Sequence, residues 1–489
     1  MEAAIISTGS FPPIDRAQWL EALRGEAFAR SGEAPVSPSY ADLHFEQLRQ
    51  EPARAGQFPL SGGGWTIVQR VDDVNAKRAN AQAQFDIEAG ATGLAIVFEG
   101  APNAFGYGLP ARPEALAAAL HNIPLNRIYL RIDVHPSSRV TIDWIIELMR
   151  RKRVDPSRLS LSFGIDPAAV FAGNGSLRMS LEALRASMPQ SLAHFFAMGI
   201  PATLLEADGR VLHNAGATEA QELGAMMAGA VSHLRMFQEA RQPLIYATPH
   251  IGFALSVTQD QFLSIAKLRA LRLLWAKAQE ACGLQPIAAK IHAETSYRML
   301  TLRAPENNIL RSSMAAFAAA AGGADTISVL PPNIPHGLPD RRGRQIARNA
   351  QLVLSEETHL SSLASPAFGS EELNILTASL CAAAWDEFRQ IEAEGGLLNS
   401  LGKGMVQQRV TAARQQALAQ MQGGKVRIVG TSGQLHLRPD VEKVSTLKAE
   451  RREVPQDGVV FCDSLPPLRL DEMLDDANIA DADAPAADG

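Results

Sequence analysis

Cysteine is scarce in this chain. The 489 residues hold three, Cys282, Cys381 and Cys462, far apart and in no CxxC pair. That argues against a disulfide framework or a cysteine-rich zinc site. Long apolar runs are missing too: none approaches the roughly 20 residues that span a bilayer, so no membrane partner is expected. The N-terminus, MEAAIISTGSFPPIDRAQW, lacks a charged stretch followed by a long apolar one. It reads as no signal peptide, which predicts a cytoplasmic protein. Concentrated positive charge is also absent. The net charge is −6, from 46 basic and 52 acidic residues. Seven of the acids crowd the C-terminal end: Asp471, Glu472, Asp475, Asp476, Asp481, Asp483 and Asp488. Without them 45 acids face 46 bases. A near-neutral body argues against a nucleic-acid partner. The end itself, rich in Asp and Ala and poor in aromatics, predicts a disordered, solvating tail over 471–489. There is no internal repeat.

What is present is an alternation. Short apolar runs separate longer helical patterns from about residue 93 to 395. The runs are 93–100, 127–133, 159–165, 203–208, 243–250, 287–296, 325–332 and 358–366. Near-continuous apolar strands suit a parallel sheet covered on both faces. Eight such units predict an α/β fold, a closed (β/α)8 TIM barrel, over an open sheet. The helices between them carry the 3.6-residue period. In 259–279, Phe262, Ile265, Leu268, Leu271, Leu274 and Trp275 recur at spacings of three and four, with Lys267, Arg269, Arg272 and Lys277 elsewhere. Stretches 218–239 and 371–393 are similar.

Flanking segments differ. Residues 1–65 contain Pro12, Pro13, Pro35, Pro38, Pro52 and Pro59 and no strong period. They read as an extended N-terminal arm, with one short helix near 41–50, long enough to lie along a partner. The barrel is assigned to 66–396. A C-terminal extension over 397–470 holds a helix near 404–421 and a strand at 425–430.

In a barrel, functional side chains sit on the loops after the strands. The candidates there are Tyr107, Asp133, His135, Asp208, Arg210, His250, His292, Glu294 and Asn333. For each, a satisfied polar residue at the barrel mouth is as good a reading as a catalytic one. No metal site is evident.

Five blocks carry a resemblance. They are IAKLRALRLLWAK (265–277), IHAETSYRML (291–300), NNILRSSMAAFAAAAGGADTISVLPPN (307–333), GRQIARNAQLVLSEET (343–358) and AAAWDEFRQIEAEGG (382–396). In type and order they are similar to the adenosylcobalamin-dependent acyl-CoA mutases, over about residues 60–400. The resemblance implies a barrel that holds an acyl-CoA along its axis. A separate flavodoxin-like domain then brings cobalamin to the mouth, with radical chemistry supplied by the cofactor.

The chain departs from that pattern where the chemistry lies. Too little sequence follows 396 for a cobalamin domain. The lone D-x-H, Asp133-Val134-His135, lacks the Gly that closes the family's DxHxxG motif. The family's T-I-R-Q-Y is Thr66-Ile67-Val68-Gln69-Arg70 here, so Val68 and Arg70 replace its Arg and Tyr. The family's Tyr-His pair falls on Arg210-Val211, with His213 displaced by two. The segment that supplies a CoA-contacting Arg is reduced to 163–177, and D-P-x-x-G-S-x-Y-V-E has lost its Asp, Tyr and Glu at 365–374. His292, Glu294, Thr295 and Ser296 keep part of their motif and read as mouth packing, with acyl-CoA binding left open. The pattern resembles the small, non-cobalamin-binding subunit of heterodimeric methylmalonyl-CoA mutases. That implies no catalytic residue and no bound cofactor in this chain. Adenosylcobalamin would enter through a catalytic large-subunit partner. The alternative is the catalytic barrel of a split mutase whose cobalamin domain is a separate chain.

Overall fold

The computed structural model describes residues 39–40, 43–44, 64–197, 199–362, 370–431, 444–451 and 457–475. Eight parallel strands close a barrel: β1 Thr66–Val71, β2 Gly93–Ile96, β3 Tyr129–Ile132, β4 Ser160–Ile165, β5 Ala202–Asp208, β6 Ile251–Val257, β7 Lys290–Thr295 and β8 Thr326–Ser328. Each pairs with its neighbours in sequence, and β8 closes on β1 through Thr326↔Thr66 and Ser328↔Val68. The predicted TIM barrel is therefore the fold.

The set of strands differs from the sequence expectation at two places. The run 243–250 is a helical turn, Leu244–Ala247, followed by the 3-10 turn Thr248–His250. Pro243 and Pro249 carry no N–H for a ladder, which pushes the strand on to Ile251–Val257. The run 358–366 forms no strand where it is described: Leu360–Ser362 is a 3-10 turn. Its place in the count is taken by Thr66–Val71. That segment carries Gln69 and Arg70 and so lacks the apolar look of its partners.

Alternation along the strands sorts the two faces. On β6, Ile251, Phe253, Leu255 and Val257 join the apolar layer beneath the helices. Gly252, Ala254 and Ser256 take the other face, toward the axis. One irregularity occurs: the register between β4 and β5 shifts between Ser162 and Ile165. Gly164 sits there at φ +51°, where an added Cβ would lie 2.4 Å from the Ile132 carbonyl oxygen. Only glycine fits this bend.

The helices start on side chains the sequence supplies. Thr218 and Gln221 form a capping box for Glu219–Glu239, Asp260 caps Gln261–Ala281 and Ser370 caps Glu371–Ala393. The last of these lies across the two before it, outside the barrel. Gly224 permits the close crossing, since a Cβ there would meet the Glu387 side chain at 2.6 Å and the Ala384 carbonyl at 2.9 Å.

In the extension, Met405–Gln422 is helical as expected, whereas 425–430 forms turns rather than a strand. The chain then returns across the C-terminal ends of the strands. Thr446–Leu447 pairs with Leu338–Pro339, and Val460–Phe461 with Ser176–Leu177. The ordered body extends past the predicted tail boundary: residues 470–475 are helical, Asp471 and Leu474 are buried, and Asp471 accepts from Leu302 N at 2.6 Å. Burial of Leu474 against Met421 and Ile428 overrides the local composition. Of the N-terminal arm, Ser39–Tyr40 and Leu43–His44 form a short antiparallel pair. The helix expected near 41–50 is contradicted at 43–44 and otherwise lies outside the described residues.

Candidate functional site at the barrel axis

The registers line up the axial residues in rows. Arg70, Ala95, Arg131 and Ser162 are paired across β1 to β4. Glu294 is level with Ser256 and Ser328, and Asp208 with Ala254 and His292. Paired residues of parallel strands face the same side, so small residues leave room that long ones fill.

What fills it is charge. Arg70 bonds Glu294 at 2.9 Å and Asp72 at 3.1 Å. Arg131 makes a two-pronged pair with Glu206 at 2.5 and 2.6 Å and reaches Asp133 at 3.3 Å. Arg210 grips Asp133, Asp208 at 2.6 and 3.0 Å, and Glu294 at 3.2 Å. All these side chains are at most 4% exposed. Five carboxylates thus face three guanidiniums along the axis. Burial raises the pKa values of Asp208 and Glu206, against the pull of Arg210 and Arg131. Burial opposes ionisation of Asp133 as well, yet Arg210 and Arg131 hold it below the usual carboxylate range. His292, bonded to Thr326 Oγ1 at 2.8 Å, is kept neutral by burial and then by Arg131 and Arg210.

A second buried cluster lies beside the first. His213 Nε2 is 2.9 Å from Ser296 Oγ, and its Nδ1 is 3.1 Å from Glu222. Glu222 also accepts from Ser256 N at 3.0 Å and pairs with Lys267. The order serine–histidine–carboxylate has the connectivity of a nucleophile, a base and its orienting acid. All three are completely buried, however, and Lys267 neutralises the acid, so the arrangement packs strand ends against helices.

The remaining sequence candidates separate. Thr295 Oγ1 accepts from Leu330 N at 2.8 Å. Asn333 ties Asp340 and the Ser445 carbonyl. Tyr107 is buried in the loop after β2, and Val68 and Val211 are buried beside the network. His250 is a correction. It precedes β6, so it stands at the opposite end of the barrel from the mouth, bonded to the Ala202 carbonyl at 2.6 Å. Arg131, Glu206, Asp72 and the His213–Glu222–Lys267 cluster were missed in the sequence. A signal existed: Arg131/Asp133 and Glu206/Asp208 put charges two apart within apolar strands, hence on one face.

His135 is fixed by backbone groups on both sides. Its Nε2–H donates to the Glu99 carbonyl at 2.9 Å, and Nδ1 accepts from Ser137 N at 3.0 Å. Burial pushes its pKa down to about 4. Between that value and the usual 6.5 the unfolded chain takes up a proton that the folded chain refuses. The stabilisation is therefore full above 6.5 and is lost as pH falls toward 4. In urea denaturation, the stability gap between the natural chain and His135→Ala should shrink by about 2 kcal/mol from pH 7 to pH 5. A gap independent of pH would refute this.

The fold is an α/β barrel of eight parallel strands with a buried, charged axis and the chain's own C-terminal segment across the mouth. The methylmalonyl-CoA mutase pattern matches residues 111–459, and the chain belongs to that family. It is 35% identical over 352 residues to the methylmalonyl-CoA mutase small subunit of Streptomyces virginiae, covering 72% of this chain and 55% of that one. To the probable small subunit of Mycobacterium tuberculosis (strain ATCC 25618 / H37Rv) it is 36% identical over 380 residues, covering 73% and 58%. To the Streptomyces virginiae large subunit identity falls to 25% over 446 residues, covering 86% and 58%. The chain spans about half the length of the curated relatives it matches. Among the described residues, no helix is long and apolar enough to cross a membrane.

Proposed function

We propose that this chain is the small, non-catalytic barrel of a heterodimeric methylmalonyl-CoA mutase, supporting a catalytic large subunit. One observation carries the reading. Arg70, Arg131 and Arg210, locked to Asp133, Glu206, Asp208 and Glu294, fill the axis along which a barrel of this kind would thread an acyl-CoA. Opening a path would break several buried ion pairs at once, each costly to separate. The higher identity to small subunits than to a large subunit supports the same assignment.

Cobalamin does not fit the one motif that resembles its ligand. A cobalt-binding histidine needs a free ring nitrogen, and His135 has both nitrogens engaged by backbone groups. Asp133 is committed to Arg210 and Arg131. In this proposal the corrinoid is held by the partner, and isomerisation of methylmalonyl-CoA and succinyl-CoA belongs to the holoenzyme.

The test is reconstitution. The purified chain, mixed with adenosylcobalamin and desalted, should retain no corrinoid absorbance. Alone, or with an isolated cobalamin-binding domain, it should not turn over methylmalonyl-CoA. Co-expressed with a catalytic mutase chain, it should elute as a 1:1 complex. Turnover with the isolated domain would overturn the proposal in favour of a split mutase, and failure to form any complex would remove the subunit role.

A further inference from the structure

The C-terminal segment 457–475 crosses the barrel mouth between two anchors. At the first, Val460–Phe461 pairs with Ser176–Leu177, Cys462 N donates to the Gly175 carbonyl at 2.9 Å and Leu465 N to the Ala172 carbonyl at 2.8 Å. At the second, Leu468 N donates to the Asn214 carbonyl at 2.9 Å and Leu470 N to the Arg298 carbonyl at 3.0 Å. Asp471 receives Leu302 N at 2.6 Å and Arg469 Nε at 3.1 Å, and Arg469 reaches the Tyr297 hydroxyl at 3.3 Å. The bonded loops follow β4, β5 and β7, so the segment spans the C-terminal ends of strands from both sides of the barrel.

Between the anchors stand Pro466 and Pro467. They have no N–H to leave unsatisfied over a gap, and their fixed φ stiffens the span. Against them lies a half-open cavity of about 300 Å³, lined among others by Phe105, Tyr297, Arg451 and Arg469. Its floor is the Phe105–Tyr297 stack, with ring centroids 4.2 Å apart and planes at 10°. Below Phe105 lies the Arg70 guanidinium, 5.2 Å from the ring centre. The axial ion pairs therefore lie one aromatic layer under this cavity.

We infer that residues 457–475 form a lid, secured by Arg469 and Asp471 and lifting from both anchors as one piece, which covers the strand ends and the ionic axis. While it is shut, it occupies the strand ends between the loops after β4, β5 and β7. The inference rests on this geometry and does not depend on the subunit assignment.

Cys462 is a built-in reporter. It is half-buried on the lid, with Sγ 3.4 Å from the Phe171 carbonyl oxygen. Cys282 is exposed, and Cys381 is half-buried on the outer helix Glu371–Ala393, away from the lid. Burial pushes the Cys462 thiol up to about 11 and the Cys381 thiol up to about 12, so both label slowly while covered. The full chain would be titrated with a thiol-reactive maleimide and the three sites followed by peptide mass spectrometry. Arg469→Ala/Asp471→Ala should label Cys462 at least tenfold faster, with the Cys381 rate unchanged. Pro466→Gly/Pro467→Gly, which removes no anchor, should accelerate Cys462 by a smaller factor. An unchanged Cys462 rate in both variants would overturn the latch. So would acceleration of Cys381 in parallel, because the segment would then be integral to the global fold rather than a lid.

Discussion

Arg210→Met should be the most damaging conservative substitution in the barrel, costing on the order of 3–5 kcal/mol or preventing soluble expression. Arg210 is completely buried and holds Asp133, Asp208 and Glu294 together. Methionine keeps much of its volume and none of its charge. Asp208 would then lose its guanidinium, and Glu294 and Asp133 would depend on Arg70 and Arg131, which Asp72 and Glu206 also engage. Equilibrium urea denaturation measures the loss. Adding Asp208→Asn removes one of the stranded charges and should recover about 1–2 kcal/mol, a coupling typical of directly bonded neighbours. If Arg210→Met were as stable as the natural chain, the axis could not be a solid ionic plug and a ligand path would have to be considered.

The second large effect is expected at Lys267→Met, which strands the Glu222 carboxylate in a dry site. Both side chains are at most 1% exposed. Burial already raises the pKa of Glu222, with Lys267 pulling it back. Without the lysine it rises further. The sign follows: a carboxyl whose folded pKa lies above its unfolded one loses stability as pH rises between the two. The variant should therefore lose about 3–5 kcal/mol at neutral pH, with a deficit that narrows in mild acid. Glu222→Gln in the same chain should restore much of the loss and abolish that pH dependence. Thermal and urea unfolding at two pH values distinguish this from simple loss of packing, which would be independent of pH.

The two clusters share a logic. Barrel axes and helix-to-strand seams are ordinarily apolar, because a buried charge is tolerated only with a partner. Here each charged side chain has an ion-pair partner, and the removal of a single member is costly. The axis is thus occupied by ion pairs between strands far apart in sequence.

The barrel could be read from the sequence because its main determinants are local. Apolar strands of three to seven residues, 3.6-period helices and caps at Thr218, Asp260 and Ser370 act within one or two turns of chain. The family could be read for the same reason, from blocks such as 291–300 and 307–333. Strand ends were less legible. Pro243 and Pro249 move a strand forward by eight residues, and β1 hides behind Gln69 and Arg70. What only the tertiary structure decided is how charges far apart in sequence are matched. Arg70 meets Glu294 across 224 residues and Arg131 meets Glu206 across 75, because barrel closure brings distant strands to one axis. Sequence shows each as an isolated charge, and its partner is set by register. The return of 457–475 over the mouth has the same origin: its apolar residues follow no strand or helix period, and the backbone carbonyls that hold it lie far away in sequence.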